Sequence, residues 1–426
     1  MLSGVTALRA LAEDSADKPV RVAVVGTGAR GCDLIRALTT IDRAKLVALC
    51  DEYEPHLSRG AEFAGGQVKT YSDFGRMLKE QSPQAIVVAV PLDKHYELAR
   101  QALDAGCAVF CEKTMTYSLE QARDLVAEVE KKQAIFQVGL QRRANAIYRQ
   151  AAAMIDSGML GQISAIKCQW HRNNNWRRPV PGKRGDANWA RLERQLNWRL
   201  YRDRSHGLMT ELASHQLDVV NWLLGTAPKR VMGSGGIDYW RDGREVFDNV
   251  FCLYEYELPS GRFAKTTAAG ASPATGSAAT PPTYTVRVTY SSIQNNAYEG
   301  ASELILGTKG TLFLTQKKGL FYKEAGVDDA GWSVEGRVAR DAALLTSGKT
   351  LKMSNDPWSH RGAPFEIDTE SDDTRDELVA FLAAVAEGNR ETICDVHHGL
   401  LDTATVVLGD QAMRERRVEE FPEFKP

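Results

Sequence analysis

The chain has no apolar run approaching the ~18 residues that a membrane-spanning helix requires, and its seven cysteines include no Cys-x-x-Cys pair and no zinc spacing. An odd cysteine count without such pairs argues against a disulfide framework and for free thiols in a reducing compartment. An excess of either charge is also missing, because 53 Lys and Arg stand against 55 Asp and Glu, a formal net charge of −2. That balance gives no general attraction to nucleic acid or to an anionic membrane surface. No internal repeat is present, and one low-complexity tract stands out between Thr266 and Thr283. It reads as a surface loop, with a substrate lid as the alternative. The first nineteen residues lack a basic start and a long apolar core, so an N-terminal arm over 1–19 is expected. The alternative is the end of a trimmed export leader, and the compartment follows the same fork: cytoplasmic, or periplasmic with its signal removed.

What is present is ordinary in bulk and specific in place. With 426 residues, 43% of them apolar and 25% charged, the chain suffices for two cored domains. The stretch Val20 to Gly31, VRVAVVGTGARG, delivers a β-branched run straight into Gly26-x-Gly28-x-x-Gly31. Such glycines allow a tight turn, room for a pyrophosphate and close helix packing, and a helix N-terminus then offers its N–H groups. A second strand, Ala44 to Cys50, ends on Asp51, twenty residues after Gly31, where a ribose hydroxyl would be read. Alternating helices and strands continue to Gly139 and predict a doubly wound parallel sheet over 20–144. From 145 to 372 strands dominate and predict an α+β domain with a large, mostly antiparallel open sheet. Helices over Asp373–Glu387 and Val396–Glu415 would pack back on the body in 373–426.

Three places carry chemistry. Lys113 follows a strand of the first domain, where it can hold a hydroxyl and stabilise an alkoxide; the alternative is that Glu112 and Lys113 form an ordinary exposed turn pair. Glu211, His215 and Asp218 fall at i, i+4 and i+7 and would share one helix face, a carboxylate-oriented general base. Here the alternatives are a structural histidine and a metal site, the latter poor with one histidine and no cysteine. The third place runs from His171 through Trp176, Arg177 and Arg178 to Trp198, Arg199 and Tyr201, where aromatic faces and forked donors suit a polyhydroxylated ring. Surface or subunit contact is the alternative for each of these residues.

In its GTGARG segment, Asp51, the AVP-x3-His95 segment, Glu112-Lys113, GLQRRANAIYRQAAAMIDSGMLG and the histidine helix ending LDVVNWLLG, the chain resembles the glucose-fructose oxidoreductase and inositol dehydrogenase (Gfo/Idh/MocA) family. The resemblance implies a Rossmann domain followed by an open-sheet domain, NAD or NADP between them, and a sugar or polyol oxidised or reduced at the nicotinamide. It implies a catalytic lysine at Lys113 and a catalytic histidine at His215, assisted by Glu211. The cofactor would be held by Gly26, Gly28, Ala29, Arg30, Gly31, Asp51, Pro91, His95, Glu112 and Lys113. The substrate would lie against Trp176, Arg177, Arg178, Trp198, Arg199, Tyr201 and Asp218. No metal is expected, and a homodimer or homotetramer is. Two departures stand out: Thr114 replaces the family's proline after the lysine, and Glu211 replaces its aspartate.

Asp51, followed by Glu52 and Tyr53 with no arginine, favours NAD over NADP. The expected reaction moves a hydride between a carbinol carbon and nicotinamide. Two alternatives stay open: redox-neutral cleavage of a glycoside with tightly bound NAD, for which Tyr201, Tyr239 or Asp238 would supply a second acid or base, and a non-catalytic sugar or NAD sensor.

Overall fold

The computed structural model describes residues 19–263, 282–324, 365–367 and 372–424. The expected N-terminal arm, nearly all of the Thr266–Thr283 tract and most of the weakly patterned stretch from Gly326 to Glu370 lie outside the described residues.

The first sheet is parallel, in the order β3-β2-β1-β4-β5-β6. Its strands are β1 (Val20–Val25), β2 (Ala44–Cys50), β3 (Lys69–Tyr71), β4 (Ala85–Val88), β5 (Ala108–Glu112) and β6 (Phe136–Gly139). β4 is AIVV and wholly buried, the composition of a strand covered on both faces. One face packs Leu34, Ile35 and Leu38 of the helix Ala29–Leu38 together with Leu378, Phe381 and Leu382 of the helix Asp373–Glu387. The other face packs Ala99 and Leu103 of His95–Asp104 and Leu125 of Leu119–Lys132. The strand order reverses between β1 and β4, so the crevice at their carboxyl ends is the natural ligand position of such a sheet.

The second sheet has nine strands in the order β14-β13-β12-β11-β7-β10-β9-β8-β15. They are β7 (Ile163–His171), β8 (Arg230–Gly236), β9 (Asn249–Pro259), β10 (Thr283–Ile293), β11 (Ala301–Gly307), β12 (Gly310–Thr315), β13 (Lys318–Lys323), β14 (Phe365–Ile367) and β15 (Glu419–Glu420). Only the β7–β10 pair is parallel. Helices Ala146–Asp156 and Ser214–Leu224 share a core with this sheet. The helix Val396–Glu415 joins the two halves: Val396 lies in a cluster with Val109 and Val138 of the first sheet, and Val406, Ala412 and Met413 lie in the core of the second.

Both sheets match the expected classes. The short strands β3, β13, β14 and β15 were not expected, and the helix Trp189–Leu196 occupies part of the stretch read as an aromatic loop. Helix Asp373–Glu387 covers the parallel sheet itself, with the Phe381 ring edge-on to Phe110 at 5.7 Å.

Phe381→Ala should therefore destabilise the dinucleotide-type sheet by about 3 kcal/mol, read from urea unfolding. A loss under about 1 kcal/mol would mean that the helix is not part of that sheet's core.

Candidate active site

The glycine turn after β1 is closed on one side and open on the other. Gly26 has φ +89°, and a Cβ there would lie 2.3 Å from Ala89 O; one on Gly31 would lie 2.0 Å from Gly26 O. Around Gly28 the nearest atoms to such a Cβ are those of the His56 ring at 3.8 Å. Gly28 caps the helix Ala29–Leu38 without any side-chain acceptor for its first N–H groups. A closely packed turn with open space before uncapped N–H groups fits a dinucleotide pyrophosphate. At the end of β2, Asp51 accepts from Thr27 N at 2.7 Å and from Tyr53 N at 2.8 Å, which fixes its carboxylate at the rim of the same crevice. His56 Nδ1 stands 3.8 Å from it, and burial lowers the His56 pKa, with Asp51 opposing and Arg59 and Arg178 adding to the fall.

β5 hands the chain to Lys113, whose peptide to Thr114 is cis. Lys113 Nζ donates to Glu211 O at 2.9 Å, and Thr114 Oγ1 donates to Thr210 O at 3.0 Å. Both acceptors lie in a π-helical turn, Met209–Ala213, that precedes the helix Ser214–Leu224. Turns of this kind recur at functional sites. The threonine that replaces proline thus ties the lysine loop to the second domain by its hydroxyl.

His215 opens the helix after that turn. Its ring is 5.4 Å from the Trp170 ring, centroid to centroid. No hydrogen bond to either ring nitrogen is made among the described residues. Burial holds its pKa well below the ordinary imidazole value, and the nearby cations Lys113, Arg142, Arg30 and Arg172 press it lower. Lys113 is lowered chiefly by burial, with Glu211 and Glu112 opposing. The pair the sequence singled out is brought together as a neutral imidazole beside a buried lysine.

The carboxylates expected to orient His215 do something else. Glu211 pairs with Arg199, Oε2 to Nε 2.7 Å, and Asp218 accepts Arg143 through both oxygens at 2.7 to 3.1 Å. Helical spacing put them on the histidine's face, but cations from other elements take them. Asp218, 1% exposed, is a structural ion pair and not a substrate contact.

Other expected contacts are corrected the same way. His95 is 2% exposed, with Nδ1 at 2.9 Å from Thr114 O and Nε2 at 3.0 Å from Val90 O, so it pins the lysine loop and does not face a cofactor. Arg30 and Glu112 pair with each other at 2.6 Å, and Arg30 reaches Glu377 at 2.8 Å; their side chains brace the crevice, leaving the Ala29 and Arg30 main chain for phosphate. Pro91 begins the loop after β4, on the same rim. Arg177 pairs with Glu193 and Asp242, and Tyr201 OH donates to Glu193 at 3.0 Å. Trp198 lies under Arg199 at 4.2 Å. Tyr239 is 56% exposed, edge-on to Trp240, and Asp238 accepts from Asn249 at 2.7 Å. Among the described residues the Arg178 guanidinium makes no hydrogen bond or ion pair, and the Trp176 ring meets Arg172 at 5.4 Å. Trp170 and Arg142 beside His215 were not singled out from the sequence, and Arg172 lay unremarked inside the third place; the two-residue offset between Trp170, near the end of β7, and Arg172, just after it, was the available signal.

A family model described as an oxidoreductase family with an NAD-binding Rossmann fold matches residues 20–140, and its C-terminal alpha/beta domain matches 152–420. Inositol 2-dehydrogenase 1 of Saccharopolyspora erythraea is 31% identical over 214 residues, 50% of this chain and 56% of that protein. The 2,7-anhydro-N-acetylneuraminate hydratase of Mediterraneibacter gnavus is 27% identical over 219 residues, 51% and 53% of the two chains. The chain spans about half the length of these curated relatives. A levoglucosan dehydrogenase solved with NADH and levoglucosan shares the fold, with a TM-score of 0.69 at 15% identity over 95% of this chain and all of that one.

Gly28→Ala should leave the melting temperature within about 2 °C of wild type yet weaken NAD binding tenfold or more by fluorescence titration, whereas Gly26→Ala should fail in folding. Unchanged NAD affinity in Gly28→Ala would remove the crevice from consideration.

Proposed function

Since this chain belongs to the Gfo/Idh/MocA oxidoreductase family, we propose that it transfers a hydride between a sugar or polyol carbinol carbon and NAD, with His215 as base and Lys113 as oxyanion support. The observation that carries this reading is the seating of Lys113 on Glu211 O, one turn before His215. When bound, the nicotinamide supplies the acceptor for hydride from the carbinol carbon. His215, kept neutral by burial and by surrounding cations, takes the hydroxyl proton at a ring nitrogen that no group among the described residues occupies. Lys113 holds the developing alkoxide by charge and hydrogen bond. Arg199 pairs with Glu211, and the Glu211 carboxylate still favours the charged lysine against burial.

NAD is favoured over NADP because Asp51 and Glu52 would oppose a 2′-phosphate. Arg59 and Arg178, near enough to depress His56, are the groups to examine if the preference comes out reversed. We also propose a homo-oligomer joined through the solvent face of the nine-stranded sheet, where Phe251 is 51% exposed, and a reducing compartment, consistent with seven free buried thiols. Light scattering and cell fractionation test these two points.

The deciding experiment denatures freshly purified protein, assays released NAD(H) and NADP(H), and follows 340 nm absorbance with sugars, polyols and glycosides. NADH growing steadily with added NAD supports the dehydrogenase. Bound NAD with a cleaved glycoside and no lasting absorbance supports the redox-neutral alternative, which the hydratase relative keeps open.

On a confirmed substrate, His215→Ala and Lys113→Met should each lower kcat by about 10²–10⁴ with little change in NAD affinity. The base must be unprotonated, so the acid limb of kcat/KM should fall below the ordinary imidazole value of about 6.5. Loss of the lysine's charge should set an alkaline limb below the ordinary lysine value of about 10.4, absent in Lys113→Met. Full activity in His215→Ala would overturn the assignment.

A further inference from the structure

One guanidinium beside His215 forms no ion pair among the described residues, although the Glu211 carboxylate acts on it from a distance. Arg172 follows β7 directly, its main-chain N–H fixed to Ile293 O at 3.0 Å. Its Cζ lies 5.2 Å from the Trp170 ring centroid and 5.4 Å from that of Trp176. Its Nε is buried with no hydrogen-bond partner, and the side chain forms no ion pair among the described residues. The neighbouring arginines differ: Arg143 has Asp218, Arg199 has Glu211, and Arg142 has Glu303.

Unpaired charge in a half-buried position is costly, and proteins ordinarily pair it or solvate it. Trp176 is held for the purpose in an uncommon backbone state, φ +63°, its N–H bonded to Asn174 Oδ1 at 2.6 Å. A bulky residue there is unusual enough to suggest a role. Two indoles against one guanidinium orient its planar fork while supplying no negative charge. The Trp170 ring that meets Arg172 also meets His215, and the guanidinium is near enough to press the imidazole pKa down.

We infer that Arg172 is the anion-recognising arm of the substrate site, and that the sugar presented to His215 carries a carboxylate or a phosphate. The inference rests on the proposed function only in placing the reacting hydroxyl at His215. A planar fork matches either oxyanion through two parallel N–H bonds. The indole faces would take the apolar face of the sugar ring. Burial lowers the pKa of Arg172, with Tyr290 and Glu211 opposing and Arg199 adding.

The test is isothermal titration of the full chain loaded with NAD, at fixed ionic strength. The ligands are glucose, glucuronate and glucose 6-phosphate, with the matching galactose and mannose sets, against wild type and Arg172→Gln. At least one anion should bind tenfold or more tightly than its neutral parent, roughly the gain of a charge-assisted bidentate contact. Arg172→Gln should bring that anion to within about twofold of the parent, leave the neutral sugar unchanged, and keep or raise Tm, because it removes an unpaired charge. The acid and phosphate arms identify which oxyanion is read. If no anion gains over its parent in any configuration, or if Arg172→Gln weakens acid and neutral sugar alike, the inference is overturned. NADH formation in the same samples is a separate readout: a tightly bound anion without NADH removes the dehydrogenase reading and leaves this one. NADH from neutral sugars with no gain for the anions does the reverse.

Discussion

The bond from Lys113 Nζ to the Glu211 carbonyl is the contact on which the site depends. It ties the end of a parallel strand in one half of the chain to the wide turn that launches the histidine helix in the other. A carbonyl acceptor orients the ammonium without neutralising it, which a carboxylate at the same distance would do. The Thr114–Thr210 bond doubles the tie, and His95, between Thr114 O and Val90 O, fixes the loop from behind. Lysine and histidine meet because three side chains over-determine one loop.

Charge around that seam is arranged against the expectation of an acid-assisted base. Each carboxylate close to His215 is spent on an arginine, and Asp402, fully buried in the helix Val396–Glu415, is pushed well above the usual carboxyl range by burial, with Asp218 adding and Lys113 and Arg143 opposing. That weakens it as a counter-charge to the lysine. The imidazole is left among cations, so its neutral form is favoured first by desolvation and further by their field. An imidazole in such surroundings needs no carboxylate beside it to remain unprotonated at neutral pH.

The sequence made the two sheets, the glycine turn, Asp51, Lys113 and His215 legible, because each is set by a local rule: β-branched runs, glycine spacing, or position at a strand end. Pairings were not legible. Glu211 lies in the π turn, so α-helical spacing does not carry from it to His215, and Arg199 and Arg143 arrive from segments whose approach no spacing records. Arg177 and Tyr201 were taken for sugar contacts on residue type, whereas Glu193, on a helix read as loop, claims both. Short strands such as β3 and β15 lack the length for a period to show.

Arg30 shows how the cofactor crevice and the lysine are coupled through a part of the chain distant from both in sequence. It leaves the glycine-turn helix, bonds Glu112 beside the lysine, and ends on Glu377 of the helix Asp373–Glu387. Glu377 is fully buried, its pKa driven well up by burial with Arg30 opposing. The arginine therefore bridges two buried acidic side chains, while the other oxygen of Glu112 accepts from the Lys113 main-chain N–H at 3.2 Å. The C-terminal helix thus helps to complete the site as well as covering the sheet, since it supplies the second acid that holds Arg30, and through it Glu112, in place beside the lysine loop.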